Sequence, residues 1–223
     1  MWSLIADNLS MLMEGAGETL YMTFVSALFA YVLGLPLGVA LIITDQNGLR
    51  PMKPLNTVLG WIVNIGRSIP FVILMLAIAP FTRLIVGKDF GTTATIVPLV
   101  IAAAPFVARM VESSLKEVDA GVIEAAESMG SSRLQIIWKV LLPEAKPSLI
   151  VGGAIGITTI LGYSAMAGFV GGGGLGTIAV NYGYYRYDNQ TMLVTVCLLV
   201  VIVQVFQELG MFIAKHTDRR ITH

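Results

Sequence analysis

Charged residues are scarce in this chain, and their scarcity excludes most soluble classes of protein. Only 13% of the 223 residues are charged and 56% are hydrophobic, whereas soluble proteins carry roughly 25% charged residues. The 14 basic and 14 acidic side chains cancel, so the chain lacks the positive charge that nucleic-acid binding requires. The composition therefore predicts an all-α integral membrane protein that lies in a lipid bilayer.

Residues and motifs that carry chemistry are also missing. The only cysteine, Cys197, lies inside an apolar run, so no intrachain disulfide can form. Neither a GxxxxGKS nor a GxxxxGKT motif occurs, so the chain has no phosphate-cradling loop and no ATP site of its own. His216 and His223 lack partners at metal-ligand spacing, and no nucleophile is paired with a base. We therefore predict no cofactor, no metal site and no catalysis in this chain.

What the sequence does contain is a series of apolar runs. A transmembrane helix needs about 20 predominantly apolar residues. Five membrane spans are predicted, at about residues 19–43, 56–80, 93–111, 147–170 and 192–214. The first 18 residues mix apolar and polar side chains and are interpreted as an extracytoplasmic or interfacial segment. Residues 112–146 form the longest polar connection, and residues 215–223 form a basic tail.

The basic residues predict how these spans are oriented. Of the 14 Lys and Arg residues, ten lie on the side of the 112–146 loop and three lie on the opposite side, with Arg67 left out of the count. Cytoplasmic loops carry the excess of Lys and Arg. The N-terminus is therefore predicted to lie outside, and the 112–146 loop and the C-terminus in the cytoplasm.

The 112–146 loop begins with an amphipathic pattern. Val122, Ala125, Ala126 and Met129 follow the spacing i, i+3, i+4, i+7, which predicts a short helix with one narrow apolar stripe. The two alanines keep this stripe flat, so that another protein can approach the backbone closely. Because this helix lies outside the bilayer, its apolar stripe indicates a docking element.

The same loop carries start and stop signals for two short helices. Gly130 can adopt the left-handed conformation that ends the first helix. Ser132 and Gln135 have the spacing of a capping box, which predicts the start of a second helix, and Pro143 is predicted to stop it.

These residues resemble a known motif. The run Glu124, Ala125, Ala126, followed by Gly130 and then by Leu142–Pro143, resembles the EAA loop of membrane subunits of ABC importers. Val140 stands where the usual pattern has isoleucine. Residues 67–71, 103–106, 109–112 and 162–168 are further similar to methionine importer permeases, and the similarity extends over residues 18–213.

The resemblance implies a type I ABC importer permease fold, with five transmembrane helices and a cytoplasmic coupling (EAA) helix between the third and fourth. It implies a homodimer in the bacterial inner membrane, bound to two ATP-binding cassette subunits that hold ATP and Mg. A periplasmic methionine-binding protein, often a lipoprotein, is expected to deliver L-methionine and sometimes D-methionine. The residues expected to contact the ATPase are Glu124, Ala125, Ala126, Met129 and Gly130.

The translocation path is less sharply defined by the sequence. The fourth span is rich in glycine, which is typical of a helix packed inside a bundle or at a subunit interface. Tyr163, Ser164 and Met166 are candidates for lining the path, and packing of the dimer interface is the alternative. Arg67 lies within the second span, where an arginine is a functional candidate; alternatively, it snorkels to the cytoplasmic interface.

Other interpretations follow from the same residues. Residues 171–176 formally match GxGxxG, but they follow a membrane span rather than a strand, which argues against a dinucleotide site and for a flexible break. The methionine assignment has a sibling, an ABC permease for a polar amino acid or a quaternary amine. A third hypothesis from another class is a membrane channel or scaffold without an ATPase. Co-purification of a soluble ATPase separates this last hypothesis from the first two.

Overall fold

A computed structural model describes the backbone of residues 2–217 and the side chains from residue 9 onward. The remainder of the predicted tail, residues 218–223, lies outside the described residues. The helices of the first half are α1 (Trp2–Thr44), α2 (Lys53–Ser68), α3 (Phe71–Ala77), α4 (Ala79–Val86) and α5 (Thr92–Lys116). Those of the second half are α6 (Ala120–Ser128), α7 (Arg133–Ile136), α8 (Leu142–Glu144), α9 (Lys146–Ala167), α10 (Gly174–Ile178) and α11 (Asn189–Thr217).

Among the described residues, four stretches are long and apolar enough to cross a membrane. They are Leu9–Thr44, Thr92–Lys116, Lys146–Tyr184 and Asn189–Thr217. The bent pair α2 and α3 passes the same test when its two helices are taken together. Counting this pair as one crossing gives five crossings, which confirms the predicted all-α fold with five transmembrane spans. We call the end of the bundle where α5 leads into α6 the α6 end.

The first helix differs from its predicted extent. The boundary expected at residue 18 is not a helix end, because α1 is continuous from Trp2 to Thr44. Its N-terminal part packs inside the bundle, where Leu12 forms a cluster with Leu175 and Ile178. Burial of this side chain explains why residues before the predicted span extend the helix instead of forming a separate interfacial segment.

The predicted second span is broken. The axes of α2 and α3 differ by 100° across residues 69 and 70. Proline pushes the preceding residue out of the helical region, and Ile69 accordingly has a ψ of 122°. Only one residue of α2, Val63, is buried, and it packs with Leu41 and Ala108. A single chain therefore leaves most of α2 uncovered.

Helix α5 lies at the centre of the bundle and packs against α1, α2, α3 and α9. Small residues allow the close approach between α1 and α5. A Cβ added at Gly34 would lie 2.8 Å from the Cβ of Val107, and one at Gly38 would lie 2.7 Å from the Cβ of Val111. Packing of this kind drives the association of helices in a membrane, where lipid tails are as apolar as the side chains.

At the end opposite α6, residues 171–176 form a packed turn, not the flexible break that was predicted. The Glu18 carboxylate accepts a hydrogen bond from the Gly174 N–H at 2.6 Å, and the Thr19 hydroxyl accepts one from the Leu175 N–H at 2.9 Å. The Gly91 N–H donates to the Gly171 carbonyl at 2.9 Å. Residues from α1 and the start of α5 thus hold the turn in place.

The carboxylate of Asp188, which lies just before α11, caps the start of this last helix. The Thr191 hydroxyl donates to Asp188 at 2.6 Å, and the Gln190 and Thr191 N–H groups each donate at 3.1 Å. These hydrogen bonds, that of the Thr191 side chain first, lower the pKa of Asp188. The cap contributes to stability above the ordinary carboxyl pKa and is lost only when the pH falls through the lowered value.

Candidate functional site

Helix α6 has well-defined ends. The Asp119 carboxylate accepts a hydrogen bond from the Gly121 N–H at 2.7 Å at its start. At its end, Gly130 has a φ of +77°. The Gly130 N–H donates to the Glu127 carbonyl at 2.9 Å, and the Ser131 N–H donates to the Ala126 carbonyl at 3.1 Å. These two bonds make a Schellman motif, so the predicted left-handed helix stop at Gly130 is confirmed.

The second part of the loop begins as predicted and ends differently. The Ser132 N–H donates to Gln135 Oε1 at 2.8 Å and the Gln135 N–H donates to Ser132 Oγ at 3.4 Å, which confirms the capping box. The predicted stop at Pro143 is wrong, because a π-helical turn (Ile137–Leu141) leads into α8. Pro143 lies in the first turn of α8, where a missing N–H costs no hydrogen bond.

The predicted apolar stripe is divided between two faces. Val122 is 41% exposed and Met129 is 79% exposed, and Ala125 is exposed as well. Ala126 is 3% exposed and belongs to the main hydrophobic core of the chain. The division follows from helix geometry, because Ala126 lies between the exposed residues and Ile123, which also packs against the core.

Two further exposed apolar residues were missed by the sequence analysis. Leu134 is 69% exposed and Trp138 is 67% exposed. Helical spacing alone does not separate them from their buried neighbours, because Leu134, Ile137, Trp138 and Leu141 follow the i, i+3, i+4, i+7 pattern of a single stripe. The π-helical turn at Ile137–Leu141 changes this spacing, and Ile137 and Leu141 are buried. We call the five exposed apolar residues of the loop the docking surface: Val122, Ala125, Met129, Leu134 and Trp138. Such exposed apolar residues are typical of a protein–protein contact.

Acidic side chains accompany this surface. Glu124 and Glu127 are exposed and line a cavity of about 540 Å³ between α6 and the turn that follows α1. Asp45 and Lys116 line the same cavity. The first residue of the predicted motif, Glu124, is thus accessible to a partner and adjacent to the end of α5.

Arg67 lies at the last turn of α2, on an exposed position. Its guanidinium carbon lies 5.9 Å from the ring centre of Phe106, within the range of a cation–π interaction. Phe106 precedes Lys116 by ten residues on the same helix, which is about 15 Å at 1.5 Å per residue. Phe106 is also only five residues from residue 111, where the third span is predicted to end, so the role of Arg67 in the path stays a prediction.

The three candidates on α9 have different surroundings. The Tyr163 ring stacks on Phe71, with ring centres 4.9 Å apart and an interplanar angle of 4°. Met166 is 48% exposed, whereas Ser164 is 1% exposed and donates to the Leu161 carbonyl at 2.8 Å. In this conformation Ser164 packs within the bundle, and Tyr163 and Met166 remain the accessible candidates.

Comparison with known families agrees with this architecture. The family model of the binding-protein-dependent transport system inner membrane component matches residues 30–223. The chain is 52% identical to the probable D-methionine transport system permease protein MetI of Vibrio cholerae, over 96% of both chains. It is 51% identical to the D-methionine transport system permease protein MetI of Escherichia coli K12, over 71% of this chain and 73% of that protein.

Solved structures give the same result for the fold. An inward-facing conformation of the MetNI methionine ABC transporter contains a chain that is 47% identical, with a TM-score of 0.94, covering 96% of this chain and 99% of that one. A chain of an amino acid ABC transporter crystallised with histidines is 20% identical, with a TM-score of 0.80, and supports the fold alone. The predicted type I ABC importer permease fold is thereby confirmed. This chain belongs to the family of binding-protein-dependent transport system inner membrane components.

Proposed function

We propose that this chain is the membrane-spanning permease subunit of an ATP-driven importer of methionine. The observation that carries the proposal is its similarity, over 96% of its length, both to a D-methionine transport permease and to a chain of the MetNI methionine ABC transporter. The alternative substrates, a polar amino acid or a quaternary amine, have no comparable support. A channel without an ATPase does not account for the docking surface.

The proposed assembly contains two copies of this chain, two ATP-binding cassette subunits and a periplasmic methionine-binding protein. The ATPase subunits hold ATP and Mg, and this chain catalyses no reaction. Two observations support the assembly: the exposed apolar residues of the loop and the largely uncovered α2 of a single chain. A symmetric pair of permease subunits supplies the second half of a central path.

In the proposed orientation the α6 end faces the cytoplasm and the N-terminus faces the periplasm of the inner membrane. Support comes from the described basic residues around the α6 end, among them Lys116, Arg133 and Lys139. Arg83, Lys88 and Arg186 belong to the opposite end. This distribution is the one that the positive-inside rule associates with a cytoplasmic α6 end.

In the proposed mechanism, ATP binding closes the two ATPase subunits, and their movement reaches the bundle through Glu124, the docking surface and the Gly130 turn. The helices then alternate between inward-open and outward-open arrangements. ATP shifts this equilibrium only by its differential affinity, so the ATP-bound ATPase must favour the outward-open arrangement. Arg67, Tyr163 and Met166 are the proposed path residues.

Uptake of labelled methionine into vesicles tests the proposed function. The vesicles contain this chain, its ATPase and the binding protein, with or without internal ATP. The expected result is ATP-dependent accumulation of labelled methionine. Excess unlabelled methionine is expected to inhibit this accumulation, and histidine or betaine is not. ATP hydrolysis by an assembled complex without methionine uptake would contradict the substrate, and the absence of any associated ATPase would contradict the docking role of the loop. Separate L- and D-methionine assays determine the enantiomer range.

The proposed role of Arg67 predicts that Arg67→Lys lowers methionine uptake. Lysine retains the charge but loses the planar guanidinium that lies over Phe106. We expect a loss of about tenfold, the equivalent of about 1.4 kcal/mol, with normal assembly and a normal ATPase rate. The measurement is initial uptake rate against methionine concentration. Wild-type uptake by Arg67→Lys would support the snorkelling interpretation instead.

A further inference from the structure

Polar contacts connect three helices near the α6 end. Glu112 Oε2 lies 2.6 Å from Arg109 Nη1, and Glu112 Oε1 lies 2.8 Å from Lys116 Nζ. Arg109 Nη2 donates to Asn64 Oδ1 on α2 at 2.7 Å. Lys116 Nζ lies 3.7 Å from the Asp45 carboxylate, directly after α1. One carboxylate on α5 thus joins α1 to α2.

Glu112 is the buried centre of these contacts. Its side chain is 8% exposed, whereas those of Arg109 and Lys116 are 31% and 48% exposed. A buried carboxylate is stable as an ion only when cations and hydrogen bonds compensate its desolvation. Here each carboxylate oxygen has its own cation, so the two basic side chains are held at fixed positions on α5.

The contacts of Glu112 run from the end of α5 near α6 to the part of α2 near Arg67. Lys116 is the last residue of α5, and three residues separate it from the start of α6. At the other end of the contacts, Asn64 precedes Arg67 by three residues on α2. The contacts of Glu112 thus connect the last turn of α5 with the part of α2 that carries Arg67.

Among the described residues, few other contacts hold the part of α2 around Asn64. Val63 is its only buried residue, and a Cβ added at Gly66 would lie 2.7 Å from Pro105 Cγ. Beyond these apolar contacts, Asn64 receives the hydrogen bond from Arg109, and Arg67 lies over Phe106. The Asn64–Arg109 bond is thus a polar attachment of α2 to the central helix.

We propose that Glu112 is a positioning residue that transmits the movement of the α6 loop to α2, through Arg109 and Asn64. The inference rests on the proposed function, because it assumes that an ATPase displaces this loop. It does not require Glu112 to touch the substrate or the ATPase. Without the Glu112 carboxylate, the α6 loop is expected to move with the ATPase while α2 no longer follows it.

The ion pair Arg83–Asp89 provides a matched control. Its N–O distance is 2.7 Å, but the Arg83 side chain is 66% exposed, and exposed pairs contribute little. Arg83→Gln removes an ion pair of similar length between α4 and the segment before α5, at the opposite end of the bundle, without affecting the contacts of Glu112.

The first measurement compares transport with ATP hydrolysis in the assembled complex. Glu112→Gln keeps the size of the side chain and removes its charge. Asn64→Leu removes only the hydrogen bond between Asn64 and Arg109, and it does so at an exposed position. If the Glu112→Gln protein is not produced in the membrane, Asn64→Leu alone tests the inference. Both variants are expected to assemble and hydrolyse ATP while methionine carried per ATP falls by about tenfold, a scale typical of coupling between sites. Arg83→Gln is expected to retain the parent ratio.

The second measurement follows the two movements separately by electron paramagnetic resonance. Spin labels are attached at Ser68→Cys on α2 or at Lys139→Cys in the loop, in a chain whose exposed Cys197 is replaced by serine. Each label gives one distance between the two copies in the complex. With ATP, both distances are expected to change in the parent and in Arg83→Gln. In Glu112→Gln and Asn64→Leu, the loop distance still changes and the α2 distance does not.

The outcomes separate this inference from the proposed function. A full change of the α2 distance, with a parent ratio of methionine to ATP, in both Glu112→Gln and Asn64→Leu would overturn the inference and leave the proposed function intact. If neither distance responds to ATP in the parent complex, the docking role of the loop fails and the inference fails with it.

Discussion

Replacing Gly130 with proline is expected to lower ATP-driven uptake about a hundredfold while leaving the membrane bundle intact. Gly130 has a φ of +77°, and its N–H donates to the Glu127 carbonyl at 2.9 Å. Proline restricts φ to about −65° and has no N–H, so the native turn costs about 3 kcal/mol or more. Since each 1.4 kcal/mol is a factor of ten, the native loop becomes about a hundredfold less populated.

The loss at Gly130→Pro should be confined to coupling. Gly130 itself is exposed, and the crossings pack against one another mainly through α1, α5 and α9. We therefore expect the variant to reach the membrane and to dimerise, with uptake reduced about a hundredfold. The measurements are uptake, ATP hydrolysis and co-purification of the ATPase from the same preparation.

Gly130→Asn is the matched control. Asparagine tolerates the left-handed conformation, and no atom of the described residues lies within 4 Å of a Cβ added at this position. We expect uptake close to that of the parent. Parent uptake by Gly130→Pro would show that the conformation of this turn has no role in coupling.

Replacing Gly174 with alanine is expected to lower the stability of the whole bundle. Gly174 has a φ of +72°, and an added Cβ would lie 2.5 Å from Thr19 Oγ1 and 3.0 Å from Met22 Cε. The left-handed conformation costs alanine about 1–2 kcal/mol. Displacing Thr19 would also leave the Leu175 N–H unpaired, which costs about 1–3 kcal/mol.

Together these costs are expected to lower the free energy of unfolding by about 3 kcal/mol, which corresponds to a fall of about 10 °C in Tm for a chain of this size. Thermal unfolding of the purified subunit in detergent measures it. Gly17→Ala is the control, because Gly17 lies inside α1 and an added Cβ would meet no atom within 4 Å in the part of the chain that the structure describes. It is expected to be neutral or stabilising by about 0.5–1 kcal/mol. If Gly174→Ala has the same Tm as the parent, the 171–176 turn accommodates the added methyl group without loss of stability, which contradicts this prediction.

Features that depend on neighbours in the chain were predictable. The helix stop at Gly130 and the capping box of Ser132 and Gln135 are confirmed because their hydrogen bonds join residues three to five positions apart. The Arg109–Glu112 ion pair joins residues three positions apart in the same way. The number of crossings followed from the length of the apolar runs, since the bilayer requires about 20 residues for each helix.

Features that depend on distant residues were not predictable from periodicity. Ala126 was assigned to the docking stripe, yet it is buried because the core approaches α6 from that side. Ser164 was a path candidate and is buried for the same kind of reason. Glu18 and Gly174 are 156 positions apart, so no local pattern connects the carboxylate with the glycine turn that it holds.

By itself the sequence determined the environment, the helical class, the polar loop and its turn chemistry, because composition and short-range hydrogen bonding decide these. Only the tertiary structure decided which face of each helix is covered. It showed the 100° bend between α2 and α3, the packed glycine turn, and the placement of Glu112 between Arg109 and Lys116 with Asn64 one contact away. The physical reason is that burial and long-range contacts depend on how helices pack, and a single helix period does not contain that information.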